Sequence, residues 1–259
     1  MIDLRQGDCL ELMKSIPDGS VDCVIADVPY GTTACKWDSV IDFDLMWAEL
    51  KRIVKPNGAT VLFGSEPFSS ALRMSNIEQY KYDWIWRKNI ATNFLHAKRQ
   101  PLRASENISV FIGGASYYHP QMTIGHKPTS SSRGVSEHKL WAGTNRRNDA
   151  GGNTNRYPQN IIHFDVVSRN NRLHPTEKPV ALLEYLIKTY SSENETVLDF
   201  TAGSMSTAIA CINTNRKGIM IEKDDHYFKI GTERVSKALK DRVNSTISQD
   251  SVIKTKDAV

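Results

Sequence analysis

An acid, a proline, a tyrosine and a glycine directly follow the short apolar run at residues 24–26. The run predicts a buried strand, and in open α/β sheets ligands bind beyond the carboxyl ends of the strands. A loop at that place would offer the Asp27 carboxylate, a backbone carbonyl fixed by Pro29 and the aromatic face of Tyr30. This loop is a candidate catalytic site. The alternative is a strand that merely ends in a Pro-Gly turn.

A second pair of acids has a spacing typical of nucleoside binding. Asp199 ends a predicted strand, a turn with Gly203 follows it, and Glu222 ends the next predicted strand 23 positions after Asp199. A glycine turn followed by an acid about 20 residues later is the arrangement that holds an adenosine ribose. The chain has no GxGxxG pattern, which disfavours a dinucleotide and a nicotinamide-linked dehydrogenase. A plain tight turn between strand and helix is the structural alternative.

Two βα segments, one near each end of the chain, are predicted to position these groups. Predicted strands span 2–4, 21–30, 59–63, 82–86, 108–112, 196–200 and 217–222, and predicted helices span 10–16, 43–54, 68–74, 180–190 and 205–212. Asp8 is placed to cap the first helix, and Pro56-Asn57-Gly58 is expected to end the second. Strand, helix and strand in succession favour a parallel sheet.

Length and composition limit the possible classes of protein. A chain of 259 residues suits one large α/β domain with an insertion. No apolar stretch approaches a membrane span, so we expect no membrane association. The four cysteines are scattered, without the spacing of a zinc site or a disulfide framework, and this is typical of a reducing cytoplasm.

Positive charge is concentrated in the middle of the chain. Residues 87–172 contain 13 Lys and Arg but 4 Asp and Glu, a balance of +9 in a chain of net charge +4. Such a stretch favours a region that binds a polyanion, and a solvated basic surface is the alternative. The candidate phosphate contacts are Arg87, Lys88, Lys98, Arg99, Arg146, Arg147 and Arg156.

Three motifs resemble those of the β group of S-adenosylmethionine-dependent DNA amino-methyltransferases: DVPYG at 27–31, HPTEKP at 174–179 and LDFTAGS at 198–204. As in that group, the catalytic motif comes first, the target-recognition region second and the cofactor motif last. The resemblance covers residues 1–111 and 172–235, and the basic insertion matches in placement and composition only. It implies an α/β, Rossmann-like methyltransferase fold with a mostly parallel twisted sheet and a circularly permuted motif order.

The resemblance also divides the chain and assigns roles to its residues. The implied segments are a catalytic half at 1–111, a target-recognition insertion at 112–171, a cofactor-binding half at 172–240 and a polar, frayed tail at 241–259. Asp27 and the carbonyl of Val28 would accept hydrogen bonds from the target amino group. Tyr30 would stack on a base flipped out of duplex DNA, in a loop fixed by Pro29. The implied S-adenosylmethionine-binding residues are Asp8, Thr176, Lys178, Asp199, Phe200, Gly203, Ser204 and Glu222.

Within the cofactor set, the resemblance places Glu222 on the ribose hydroxyls and Asp8 on the adenine. Asp199 and its neighbours would line the methionine end, and Thr176 and Lys178 would close it. The expected partner is double-stranded DNA, and the chemistry requires no metal. A homodimer and an RNA substrate stay open.

Two departures from the family pattern define the alternatives. The usual motif is Asp-Pro-Pro-Tyr, and here Val28 replaces the first proline; since a backbone carbonyl acts there, we expect activity to survive. The Asp form resembles adenine-N6 enzymes, whereas cytosine-N4 enzymes usually begin with Ser and remain the close alternative. Met205 stands where the family commonly has glycine, next to the cofactor turn. A methionine that crowds the cofactor would leave a catalytically impaired DNA-binding homologue.

Overall fold

The structure is a computed structural model that describes residues 1–31, 39–115, 117–137, 144–149 and 151–256. The strands are β1 (Ile2–Gln6), β2 (Val21–Ala26), β3 (Val54–Gly64), β4 (Tyr80–Thr92), β5 (Arg103–Ile112), β6 (Ser132–Glu137), β7 (Thr144–Asp149), β8 (Ile161–His163), β9 (Thr196–Asp199) and β10 (Lys217–Glu222). The helices are α1 (Cys9–Met13), α2 (Phe43–Ile53), α3 (Phe68–Met74), α4 (Val180–Tyr190), α5 (Ser206–Asn213) and α6 (Asp225–Lys256). Strands and helices alternate at both ends of the chain, as predicted.

Eight strands form one sheet in the order β1-β10-β9-β2-β3-β5-β4-β8. β5 runs antiparallel to both of its neighbours, and the other neighbouring pairs are parallel. From β2 the chain continues to β3 on one side, whereas from β9 it continues to β10 on the other. The adjacent pair β2 and β9 is therefore the point where strand order reverses, and such a point opens a crevice at the carboxyl ends of the strands.

Helices cover both faces of this sheet because alternate residues of each strand point to opposite sides. Cys23 and Ile25 of β2 belong to the core cluster that includes the apolar sides of α4 and α5. Val24 and Ala26 belong to the cluster on the other face, with the apolar sides of α1 and α2. A strand that is buried on both faces has a continuous apolar run, which is why residues 24–26 predicted it. The Rossmann-like, mostly parallel architecture is confirmed.

A second compact unit spans Pro120–Gln159, within the predicted insertion 112–171. It contains the antiparallel pair β6 and β7 and an isolated bridge between Thr123 and Arg156. No strand was predicted here, because the segment lacks alternation of apolar and polar residues and pairs through its backbone. The short strand β8 lies outside this unit and pairs with β4 in the large sheet.

Several predicted boundaries were wrong. β2 ends at Ala26 rather than at Tyr30, so residues 27–30 form a loop. Pro56-Asn57-Gly58 does not end α2: the helix ends at Ile53, and the tripeptide lies within β3. The pairing of β2 with β3 shifts register there, from Val21–Val54 to Cys23–Ala59, and such an irregularity is where a strand accommodates a proline and a glycine.

The predicted polar tail was expected to be frayed, but α6 continues to Lys256. A helix satisfies its backbone hydrogen bonds locally, so a polar segment can extend one that is already anchored. The anchored part packs on the sheet through Phe228 and Val235. Across the described ranges, no helix combines the length and the apolar character needed to cross a membrane.

Candidate active site

The carboxyl ends of β2, β9 and β10 open into one cleft of about 1170 Å³. All twelve residues predicted for catalysis or cofactor binding line it: Asp8, Asp27, Val28, Pro29, Tyr30, Thr176, Lys178, Asp199, Phe200, Gly203, Ser204 and Glu222. The topology explains this meeting, because β2 and β9 are neighbours and Val24 pairs with Leu198. Residues that are far apart in the sequence are thus brought together at the ends of adjacent strands. The cleft lies within the larger unit.

Asp27 lines the cleft directly after β2, and the group of residues around it is called the catalytic end. Its Oδ1 accepts a hydrogen bond from the Tyr30 hydroxyl at 2.6 Å, and its Oδ2 accepts one from Lys178 Nζ at 2.5 Å. Tyr30 also packs against Phe68, with ring centroids 5.1 Å apart. Tyr30 is therefore held on two sides, and Asp27 has a fixed orientation.

Four charged side chains alternate in sign at this end. Lys178 lies between Asp27 and Glu106, with its Nζ 3.5 Å from Glu106 Oε2. Glu106 in turn accepts a hydrogen bond from Lys88. The side chains are largely withdrawn from solvent; that of Lys178 is 8 % exposed. Lys178 Nζ also lies 5.0 Å from the ring centroid of Phe63, which contributes a cation–π contact.

These neighbours set the charge states of the group. Burial raises the pKa of Asp27, although the adjacent Lys178 ammonium acts in the opposite direction. Burial alone would lower the pKa of Lys178, but the carboxylates of Asp27 and Glu106 raise it above its usual value. Lys178 is therefore a permanent cation beside Asp27, and it favours the ionised carboxylate.

Asp199 lines the cleft at the end of β9, the strand beside β2, and it is 5 % exposed; Asp199, Glu222 and the turn between them are called the cofactor end. It accepts hydrogen bonds from the Thr201 backbone N–H at 3.1 Å and from the Thr207 hydroxyl at 2.5 Å. Burial raises its pKa to about 7. Within the described residues, Asp199 forms no ion pair, so its charge is balanced by hydrogen bonds alone.

Glu222 ends β10 and braces the turn that follows β9. Its Oε2 accepts a hydrogen bond from the Gly203 backbone N–H at 2.7 Å, and its Oε1 accepts one from the Asp224 N–H at 2.7 Å. Gly203 has φ +50°, and a Cβ there would lie 3.6 Å from the ring of His174. Burial raises the pKa of Glu222. The acid thus fixes the shape of the turn and still faces the cleft.

Met205 does not crowd the cleft. Its backbone takes the left-handed conformation, φ 62°, that a glycine would adopt easily, at a modest cost in strain. Its side chain is fully buried in the core on the α4 and α5 side, and Met205 is not among the residues that line the cleft. It packs on Gly231 of α6, where an added Cβ would lie 2.3 Å from Met205 Cγ. Where the family commonly has a glycine, this chain thus has Met205, whose side chain packs against Gly231.

The remaining candidates for cofactor binding also line the cleft. Asp8 caps α1 by accepting from the Leu10 N–H at 3.0 Å, and its Oδ2 pairs with Lys223 at 3.1 Å. Thr176 Oγ1 lies 3.0 Å from His174 Nδ1. Burial, with a further contribution from Lys178, lowers the pKa of His174 to about 4. The imidazole is therefore neutral near pH 7. Phe200 and Ser204 are buried in the walls.

The predicted phosphate contacts fall into different environments. Arg87, Lys98 and Arg99 are exposed on the larger unit, whereas Lys88 lies inside the cleft on Glu106. Arg156, in the second unit, donates to the backbone carbonyls of Asn153 at 2.8 Å and Lys127 at 2.5 Å. Arg146 and Arg147 lie on β7, and their side chains are outside the described part of the chain.

Sequence reasoning missed one group that shapes the catalytic end, Glu106, and gave another, Lys178, a different role. Glu106 was not predicted; the signal that could have found it is a charge two residues before the predicted strand 108–112. Lys178 was predicted for the cofactor, and the structure places its ammonium on Asp27. Neither contact has a local signature, because each joins elements distant in sequence. No group of three or more His, Cys, Asp or Glu side chains suited to a metal occurs in the residues described.

Comparisons with known proteins agree with this geometry. A family model of N6 and N4 methyltransferases, described as DNA methylase, matches residues 21–233. The DNA adenine methyltransferase YhdJ of Escherichia coli K12 is 29 % identical over 250 residues, which cover 90 % of this chain and 82 % of YhdJ. The catalytic and cofactor motifs and the insertion all fall within the family match.

Solved structures share the fold. The crystal structure of the M1.HpyAVI–SAM complex has a TM-score of 0.63 and 24 % identity, and the match covers 91 % of this chain and 99 % of that one. The PvuII DNA methyltransferase, described as cytosine-N4-specific, has a TM-score of 0.64 and 16 % identity, with 94 % and 93 % covered. At these identities the likeness establishes the architecture and leaves the target base open.

Proposed function

The chain belongs to the DNA methylase family, and from that premise we propose that it methylates the N6 amino group of adenine in duplex DNA, with S-adenosylmethionine as the methyl donor. Asp27 carries the proposal, because it stands at the carboxyl end of β2 in the same cleft as Asp199 and Glu222. The relative YhdJ is named a DNA adenine methyltransferase. The Asp at the start of the catalytic motif also resembles adenine-N6 enzymes.

The cofactor end of the cleft fits S-adenosylmethionine by charge. Asp199 and Glu222 form no ion pair among the described residues, and S-adenosylmethionine carries a sulfonium and an ammonium. The buried hydroxyl Thr201 Oγ1 lies in the same wall and has no hydrogen-bond partner within those residues. A bound group with polar atoms would satisfy it. Asp199, Glu222 and Thr201 are therefore the residues that we propose hold the cofactor.

At the catalytic end, Asp27 acts on the amine of the target base. The adenine amine is a poor nucleophile, since its lone pair is delocalised into the ring. Hydrogen bonds from the amine to Asp27 and to the Val28 carbonyl favour a tetrahedral nitrogen and stabilise the positive charge that develops on it. Lys178 favours the ionised form of Asp27 against the effect of burial, and the ionised carboxylate accepts these hydrogens. When S-adenosylmethionine is bound, it supplies a methyl group already activated on sulfur.

Tyr30 holds the base in place. The N6 atom is hindered inside the double helix, so the base must leave the stack and be held by contact with an aromatic ring. Tyr30 is anchored by Asp27 and by Phe68, which positions its ring beside the acid that receives the amine. Accurate placement of the amine in line with the methyl group supplies much of the remaining catalysis.

The test is transfer of labelled methyl from S-adenosylmethionine into unmethylated plasmid DNA, followed by nucleoside analysis. We expect N6-methyladenine from the wild type. Asp27→Asn should lower the rate by about 10²–10³-fold, the usual cost of losing one preorganised group at a developing charge. The thermal shift with S-adenosylmethionine should persist in this variant. Asp241→Asn, an exposed position on α6, is the matched control and should retain the wild-type rate.

Cytosine-N4 methylation is the second candidate, favoured by the shared fold of the PvuII enzyme. The same nucleoside analysis decides between them, since N4-methylcytosine would replace N6-methyladenine. The impaired DNA-binding homologue rested on Met205 as an obstacle to the cofactor, and the burial of its side chain in the core removes that support. A folded wild type without thermal shift and without methyl transfer would contradict the proposal.

A further inference from the structure

The hairpin between β4 and β5 ends in an apolar tip at the mouth of the cleft. Thr92 pairs with Arg103 at its base, and the chain then turns through the short 3-10 segment Phe94–His96. Phe94 is 64 % exposed and Leu95 is 97 % exposed. Two large apolar side chains that lie side by side in solvent are unfavourable in an isolated domain, so they suggest a contact.

The tip is held in shape by its own backbone. Asn93 adopts a left-handed conformation, φ 74°, which reverses the chain before Phe94. The N–H of His96 donates to the Asn93 carbonyl at 3.0 Å, and the N–H of Ala97 donates to the Phe94 carbonyl at 3.1 Å. Phe94 and Leu95 are therefore presented on a fixed turn rather than on a loose loop.

The position of the tip connects it to the catalytic end. Ile90, Thr92, Asn93 and Phe94 line the same cleft as Asp27. Leu95 follows directly and points into solvent, to judge from its exposure. A group bound at Asp27 would thus lie in a cleft with this apolar pair at its rim.

The charge around the tip indicates the kind of partner. The segment 87–105 contains five Lys and Arg and no Asp or Glu. Lys98 and Arg99 follow the turn with exposed side chains, and Arg87 is exposed on β4. Exposed cations in the same segment as two exposed apolar side chains suit a polyanion with an apolar interior. Duplex DNA has this character, with phosphates outside and stacked bases inside.

We propose that Phe94 and Leu95 form a wedge that enters the base stack of duplex DNA at the place left by the target base. This inference rests on the proposed function, because it requires that the base leaves the helix to reach Asp27. Apolar side chains inserted between base steps compensate for lost stacking, and Lys98 and Arg99 would hold the flanking phosphates. An apolar pair of this size is too small for a stable protein–protein interface, which favours DNA as the occupant.

The target sequence is first mapped on plasmid DNA that the wild type has methylated. The test then compares two oligonucleotide duplexes that carry this sequence. In one duplex the target base is paired, and in the other it lies opposite an abasic residue, so that less energy is needed to extrude it. The variant is Phe94→Ala with Leu95→Ala. The matched control is Met74→Ala with Ile77→Ala, since these residues are 70 % and 55 % exposed and lie outside the cleft.

On the paired duplex we expect the wedge variant to lose about tenfold or more in kcat/KM, since extrusion of a paired base is costly. On the abasic duplex most of that loss should disappear, and the control variant should match the wild type on both. A 2-aminopurine at the target position should show less fluorescence increase with the variant than with the wild type.

An equal loss on both duplexes, or no loss on the paired one, would overturn the wedge while the proposed function stands. A wild type that methylates no plasmid DNA would overturn the proposed function and the wedge with it. Because both wedge residues are exposed, the melting temperature of the variant should equal that of the wild type, which separates loss of the wedge from loss of the fold.

Discussion

The two ends of the cleft handle charge in opposite ways. At the catalytic end Asp27, Lys178, Glu106 and Lys88 alternate in sign, and each buried acid has a cation of the protein beside it. At the cofactor end Asp199 and Glu222 receive hydrogen bonds from backbone N–H groups, and Asp199 also from a hydroxyl, without an ion pair among the described residues. One end is electrically balanced and the other is acidic.

This difference matches what each end is proposed to bind. The amine of a base is neutral, and it needs an ionised acceptor that the protein itself must keep ionised. A sulfonium cofactor brings its own positive charge, and an acidic pocket gains from it. The raised pKa values of Asp199, to about 7, and of Glu222 reflect the cost of holding these acids without a cation. The predictions below test this contrast.

Lys178→Met should have the largest effect. Removal of the ammonium leaves Asp27 and Glu106 buried without their shared cation, which costs about 3–5 kcal/mol of stability for a broken buried pair. The pKa of Asp27 should rise further, so the acid limb of the pH–rate profile of methyl transfer should move to higher pH. We expect a rate loss of about a hundredfold near pH 7, shrinking as pH rises.

Lys88→Met is the matched control, because it removes the outer cation and leaves the Asp27–Lys178 pair intact. It should shift the acid limb far less than Lys178→Met. If Lys178→Met instead raised KM for S-adenosylmethionine and left the acid limb in place, Lys178 would belong to the cofactor end. The contrast between the two ends would then fail.

Asp199→Asn tests the acidic end. The folded protein holds a proton on Asp199 more tightly than the unfolded chain does, so its contribution to stability is complete below about pH 4 and is lost as pH rises through about 7. An Asn cannot ionise and can serve both Thr201 and Thr207. Relative to the wild type, the variant should gain roughly 2–4 kcal/mol between pH 5 and pH 8, since one pKa unit corresponds to about 1.4 kcal/mol.

Denaturant unfolding at several pH values measures this gain, and calorimetric titration measures the cofactor. The variant should bind S-adenosylmethionine more weakly, because the acid that faces its positive charge is gone. A difference in stability that is independent of pH would contradict the raised pKa of Asp199. Unchanged cofactor affinity would contradict the charge argument for this end.

Gly231→Ala tests the support behind the cofactor turn. The new Cβ would lie 2.3 Å from Met205 Cγ and 3.5 Å from the Gly203 carbonyl. Overpacking of this kind typically costs about 1–3 kcal/mol. Met205→Ala in the same chain should relieve part of the cost, which a double-mutant cycle would report as a favourable coupling energy. Additive losses would mean that Met205 and Gly231 do not form the contact described.

The sequence predicted the parts of the fold that have local signals. The apolar face of α2 follows from helical periodicity and β2 from its buried apolar run, and α3 has the predicted boundaries. The hairpin β6–β7 escaped prediction because its residues are almost all polar and do not alternate with apolar ones. The full length of β4 also escaped prediction, because its outer residues pair with β5 and β8 and do not form an apolar run.

For the site, the motifs predicted which residues share the cleft, but not which neighbours control them. Asp27 and Glu222 can be identified from the sequence because each stands at the carboxyl end of a predicted strand. The Lys178–Glu106 contact joins the segment before α4 to β5, and Met205 packs on α6; no spacing in the sequence encodes either contact. Met205 shows most clearly the difference between what a motif predicts and what tertiary packing determines. Its strained backbone is part of the turn, whereas its side chain packs in the core.

Lys223→Ala should have the smallest effect, and it tests whether the exposed Lys223–Asp8 pair matters for cofactor binding. Lys223 pairs with Asp8 at the rim, where the two side chains are 78 % and 43 % exposed. Screening by solvent reduces the contribution of such a pair to about 0.5 kcal/mol or less, and added salt should remove even this.

The Lys223→Ala variant should also bind S-adenosylmethionine as tightly as the wild type, since Asp8 Oδ2 becomes free to accept from the adenine amine. Asp8→Ala, which removes both the helix cap and that acceptor, should bind more weakly. Equal weakening in both variants would show that Lys223 itself contacts the cofactor, and the acidic end would then contain a functional cation after all.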